Sequence, residues 1–133
     1  MKQILFVCIE NSNRSQMAEA FAHMYAKGKV KAYSAGSCPS GKVNPKAIKA
    51  MAELGYDLST HHSSSIEELP DIVFDQVLTM GCDDACPQIA AKAREDWGIP
   101  DPKKLSESEF RTIRDYIGIK VRGLLSHLID EVD

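Results

Sequence analysis

Ile4-Leu5-Phe6-Val7-Cys8-Ile9-Glu10-Asn11-Ser12-Asn13-Arg14-Ser15 passes from an unbroken apolar block into a polar loop, and Ser15 opens a helical pattern. Four consecutive apolar residues predict a strand buried on both faces, as in a parallel sheet. From about Ser15 to Lys27 the spacing of Met17, Phe21 and Met24 predicts a helix with one apolar stripe, and Gly28 is a stop. A loop between such a strand and such a helix can curl its backbone N–H groups around a tetrahedral anion, with the helix N-terminus adding to the field. Arg14 suits two oxygens of that anion at once. Cys8 stands at the loop's start, where the same donors stabilise a thiolate. Ile9, Glu10, Asn11, Ser12, Asn13, Arg14 and Ser15 are therefore the candidate oxyanion-binding segment, with Ser15 also able to bond the sulfur. A loop without glycines or a Gly-Lys-Ser/Thr end is not a Walker loop. The plain alternative is that Cys8 is a small buried hydrophobe and Arg14 a solvated helix residue. The position of the Cys-x5-Arg spacing between strand and helix favours the anion site.

Further along the chain, Val30–Ser34 predicts a second strand, Val77–Met80 a third, and Glu95–Trp97 a short fourth. Asn44-Pro45 is a helix start, cap then first-turn proline, with Ile48, Met51 and Leu54 as its stripe and Gly55 as its end. A short helix is expected near Ser65. A long one spans roughly Glu107–Ile129, with Phe110, Ile113, Ile117, Val121, Leu124 and Leu128 inward, weakened by Gly118 and Gly123. Strands alternating with helices predict an α/β three-layer sandwich: a four-stranded parallel sheet, right-handed crossovers, helices on both faces. Ligands bind at the carboxyl ends of the strands in such sheets, and both Cys8 and Cys82 follow strands at that end.

With 133 residues and 44% hydrophobic content, the chain is expected to form one domain, residues 1–133, with a real core. Its net charge of −3, with no basic block, argues against a nucleic-acid or membrane surface. The apolar run at the N-terminus is too short for a signal peptide, and no segment is long enough to cross a bilayer. A cytoplasmic monomer is expected. Four cysteines in a reducing compartment point to catalysis, redox chemistry or metal binding before structural bridges. Cys82 and Cys86, four apart, would lie about 6 Å from each other at Cα on a helical turn, a strained and easily reduced disulfide. The alternatives are two ordinary thiols, or a zinc site completed by His61 and His62, which lacks a second cysteine pair. Cys38 reads as a free surface thiol, and Asp101 before Pro102 as either a turn residue or a general acid.

The run CIENSNRSQMAEAF resembles the opening of the low-molecular-weight protein tyrosine phosphatases and of the thioredoxin-coupled arsenate reductases built on the same fold. The resemblance continues through Ser34-Ala35-Gly36, Val43-Asn44-Pro45, Thr79-Met80-Gly81-Cys82, Cys86-Pro87, Asp96-Trp97 and Asp101-Pro102. Position 13, often cysteine in these reductases, is Asn13. The resemblance implies an arsenate reductase with Cys8, Arg14, Cys82, Cys86 and Asp101 as catalytic residues, a Cys8–Cys82–Cys86 disulfide relay, and thioredoxin as reductant. It equally implies the rival, a tyrosine phosphatase working through a phosphocysteine on Cys8. Lys103 stands where the phosphatases usually carry an aromatic, and the chain is shorter than theirs, which favours the reductase. An anion-binding or redox-sensing module is the non-enzymatic reading. No metal cofactor is expected. Some relatives bind potassium through positions matching Asn11, Glu19 and Ser34 together with an aspartate, but Ser64 occupies the aspartate's place, which argues against a tight potassium site.

Overall fold

The structure, a computed structural model, describes residues 1–81 and 89–132. Its one sheet has four parallel strands in the order β2-β1-β3-β4, where β1 is Lys2–Cys8, β2 Val30–Gly36, β3 Gln76–Thr79 and β4 Arg94–Asp96. Central β1 buries Ile4, Leu5, Phe6 and Val7 completely, as its apolar block requires. β2 runs two residues past Ser34 because Cys8 stays in register with Gly36.

Three α-helices pack with one face of the sheet: α1 (Arg14–Ala26), α2 (Pro45–Ala52) and α3 (Glu107–Val132). Alternation along β1 sends Ile4, Phe6 and Cys8 to this face and Leu5 and Val7 to the other. On the second face the described helical cover is the short 3-10 helix Ile66–Glu68, aided by Leu69, Ile72, Phe74, Ile89 and Ala91. Its Ser65 and Glu68 form a reciprocal capping box.

Asn44 caps α2 by accepting from Lys46 N, with Pro45 in the first turn. The helix ends at Ala52, earlier than Gly55, so its buried face is Ala47, Ala50 and Met51, and Leu54 is left 40% exposed. In α3 the inward residues are Phe110, Ile117, Val121, Leu125 and Leu128, with Ile113 and Leu124 only partly buried. Gly118 is more than a weak point in this helix. A Cβ there would sit 3.0 Å from the Phe21 ring, so its lack of a side chain lets α3 approach α1. No described helix is long and apolar enough to cross a membrane.

Candidate active site

Cys8 ends β1 and is 3% exposed. The residues after it turn back over Gly36, where an added Cβ would lie 2.6 Å from the Ile9 carbonyl oxygen and 3.0 Å from Asn11. Only glycine leaves room for that crossing. Asn11 adopts a positive φ of 50°, which asparagine tolerates better than most residues.

The loop's carbonyls are drawn outward. Ile9 O accepts from Cys38 N (2.8 Å), Glu10 O from Ser40 N and Ser63 Oγ (3.0 Å each), Asn11 O from Gln16 Nε2 (3.1 Å), and Ser12 O from Asn44 N (3.1 Å). In a trans peptide the next residue's N–H points the opposite way, so the N–H groups of Glu10, Asn11, Ser12 and Asn13 turn toward the loop's centre. The Asn11 N–H donates to Cys8 Sγ at 3.2 Å. Asn13 stands at the N-cap of α1 but makes no side-chain cap bond, so its side chain leaves the first-turn donors uncapped.

A small cavity of about 60 Å³ sits over this loop, lined by Cys8, Ile9, Glu10, Ser12, Asn13, Arg14 and Asp101. Asn11 and Ser15 are absent from the lining because they brace the wall. Ser15 Oγ lies 2.8 Å from Cys8 Sγ, and Asn11 Nδ2 donates to Ser15 Oγ at 2.7 Å. Asn11 Oδ1 in turn accepts from Gln16 Nε2 (2.9 Å) and Ser64 N (2.7 Å).

Arg14 is buried, and its Nη1 donates to Met80 O (2.6 Å) and Ile99 O (2.8 Å). Two of the guanidinium's five donors thus fix it to the end of β3 and to the chain just before Asp101. Asp101 Oδ1 accepts from Lys103 N at 3.0 Å, capping the 3-10 turn Pro102–Lys104. Asp101 is therefore a turn residue and a cavity residue at once.

Several braces were silent in the sequence. Gln16 links Asn11 to the His62 carbonyl (2.9 Å) and to His61 Nδ1 (2.9 Å), while Tyr56 Oη meets His61 Nε2 at 2.6 Å. Burial pushes the His61 pKa below its usual value of 6.5, against the pull of Glu19. Asp96 Oδ1 accepts from Thr79 Oγ1 and Gly81 N, each at 2.8 Å, and the Thr79 bond leads the causes that lower its pKa. That clamp sits at the carboxyl end of the sheet, where Thr79 pairs with the strand of Cys8. Cys82 and Cys86 lie outside the described residues.

Glu19 bonds Ser34 Oγ at 2.6 Å and pairs with His23 at 3.1 Å, so the potassium-matching positions Glu19 and Ser34 satisfy each other. Among the described residues no group of three or more His, Cys, Asp or Glu could hold a metal. His61, one of the histidines in the zinc alternative, is hydrogen-bonded to Tyr56 and Gln16. Cys38 is exposed, and Trp97 is a core residue 5.9 Å from the Phe6 ring.

The model of the low molecular weight phosphotyrosine protein phosphatases matches residues 3–133. Arsenate reductase 1 of Staphylococcus epidermidis is 45% identical over 120 residues, covering 87% of this chain and 89% of the relative. The glutaredoxin arsenate reductase of Synechocystis sp. is 37% identical, covering 96% and 99%. A solved arsenate reductase in the phosphate binding state superposes with a TM-score of 0.87 at 38% identity, over 96% of this chain and 98% of that one. A thioredoxin-dependent arsenate reductase of Corynebacterium glutamicum superposes at 0.80 with 31% identity, over 98% of this chain and 63% of that one. The chain belongs to the low molecular weight phosphotyrosine protein phosphatase family, and the relatives described above are named arsenate reductases.

Proposed function

We propose that this protein is a cytoplasmic enzyme that reduces arsenate to arsenite through Cys8, with a disulfide relay recycled by thioredoxin. The observation that carries the reading is the cavity whose lining brings Cys8, the loop after it, Arg14 and Asp101 together. Such donors serve a tetrahedral oxyanion and the charge that builds on it in the transition state.

The Cys8 thiolate attacks arsenic, and an oxygen leaves as water after Asp101 supplies a proton, giving a cysteine–arsenic(V) adduct. The Cys82 thiolate then attacks Cys8 sulfur. A Cys8–Cys82 bond forms, the S–As electron pair stays on arsenic, and arsenic(V) departs as arsenite. Cys86 attacks Cys82, releases Cys8 as thiolate and leaves a Cys82–Cys86 disulfide, which a dithiol reductant opens with two electrons. Support for the relay comes from the Cys82–Cys86 spacing and from relatives named arsenate reductases.

Thioredoxin is the reductant we favour, after the Corynebacterium structure; the Synechocystis relative favours glutaredoxin. Phosphatase activity is the second reading, favoured by the family description, and the same cavity would serve it. The test is NADPH oxidation on adding arsenate in the presence of thioredoxin and its reductase, with glutaredoxin and glutathione in parallel. Arsenate-dependent oxidation in either arm supports reduction and identifies the reductant. Oxidation in neither, with hydrolysis of an aryl phosphate, establishes the phosphatase.

A further inference from the structure

Two acidic residues line the Cys8 cavity, Glu10 and Asp101, and Lys103 bonds the carboxylates of both. Lys103 donates its backbone N–H to Asp101 Oδ1 at 3.0 Å and sets its ammonium 3.3 and 3.2 Å from the two oxygens of Glu10. Glu10 belongs to the loop after β1, and Lys103 to the turn after Asp101. The pair therefore joins the two walls of the cavity. It is exposed, at 34% for the Glu10 side chain and 52% for Lys103, so its contribution to folding is small. Its effect on the cavity is another matter. An anion that enters beside a thiolate carries negative charge into a site that already holds negative charge. An uncompensated Glu10 on the wall would repel it, and field lines in a cleft are focused by the surrounding protein.

We infer that Lys103 is a specificity-determining residue, whose ammonium cancels the Glu10 charge at the wall and so sets the affinity for a dianionic oxyanion. The inference rests on the oxyanion-site reading of the cavity, and not on which oxyanion is turned over. It assigns Lys103 two separable jobs. The backbone N–H orients Asp101 and survives any substitution except proline. The side chain governs charge.

Lys103→Met keeps the length of the side chain and the N–H while removing the charge. The direct probe is inorganic phosphate, read as protection of the Cys8 peptide from iodoacetamide at fixed ionic strength. In about 0.05 M sodium chloride, Lys103→Met should weaken phosphate binding about three- to tenfold. In about 0.5 M salt, where charges are screened over a few ångström, the gap should shrink below twofold. Lys103→Arg should bind as the parent does, and adding Glu10→Gln to Lys103→Met should restore binding at low salt. With arsenate as substrate, the same variant should show its loss in KM and not in kcat.

Unchanged phosphate binding in Lys103→Met, a loss that salt does not reduce, or failure of Glu10→Gln to rescue it would each overturn the inference. Because phosphate protection needs no turnover, a protein inactive on arsenate would overturn the proposed reduction while still reading the Lys103 effect.

Discussion

The loop 8–15 and the turn that begins at Asp101 both line one cavity, and they are held very differently. Asn11 to Ser15 are all buried, and side chains or backbone donors from Gln16, Cys38, Ser40, Asn44, Ser63 and Ser64 fasten the loop from outside. On the turn, Asp101, Lys103 and Lys104 are exposed, and the segment is tied by the Asp101 cap and the Glu10–Lys103 pair, with only Pro102 buried. The contrast separates two tasks. Donors that must receive an anion without reorganising are fixed by the fold. In the proposed reaction Asp101, the proton donor, sits on the exposed turn. Damage to the first wall should therefore cost stability and binding together, whereas loss of the Asp101 carboxyl should cost rate alone.

The largest effect should come from Asn11→Ala. It removes the bonds to Ser15, Gln16 and Ser64 and places a poorly suited residue at positive φ. We expect a loss of about 3 kcal/mol in denaturant unfolding and a fall in kcat/KM of about 100-fold or more. Asn11→Gly, which relieves φ, should recover part of the stability and little of the activity. If Asn11→Gly were fully active, the side-chain bracing would be irrelevant to the site.

Next comes Asp101→Asn, which keeps an acceptor for Lys103 N. It should lower kcat about 100-fold or more with the melting temperature nearly unchanged. A large drop in melting temperature would erase the distinction between the walls. Gly36→Ala, whose Cβ would meet Ile9 O at 2.6 Å, should cost about 1–3 kcal/mol and raise KM by displacing the loop. The smallest effect is a pH dependence. Half-buried His61 holds its proton less well folded than unfolded. As pH falls below about 6.5 the unfolded chain is protonated first, so stability declines until the folded imidazole protonates too. His61→Gln should flatten that decline, seen as parallel melting temperatures between about pH 7.5 and 5. An unchanged slope would locate it in other groups.

What the sequence disclosed follows from what is local. β1, the loop and α1 are legible because an unbroken apolar block, turn polarity and helix spacing are written in adjacent residues. The reach of the site across the fold was not. Gly36 reads as part of a motif, but the reason for it is the Ile9 carbonyl of another segment. Gln16 and His61 look like ordinary polar residues until Asn11 is brought against them. Gly118 reads as a helix defect and proves to be the contact point for Phe21. Lys103 was informative as a missing aromatic, while its partner, Glu10, lies 93 positions away. Leu54 falls outside the buried stripe for a simpler reason: the helix ends a turn early.

The proposed relay requires a second thiol beside Cys8 to reduce arsenate but not to hydrolyse a phosphate ester. It is tested most directly by Cys82→Ser, assayed for arsenite formed with thioredoxin, its reductase and NADPH, and for hydrolysis of p-nitrophenyl phosphate. Arsenite formation should be lost while any ester hydrolysis shown by the parent is retained and is abolished only by Cys8→Ser. Full arsenate reduction by Cys82→Ser would contradict it.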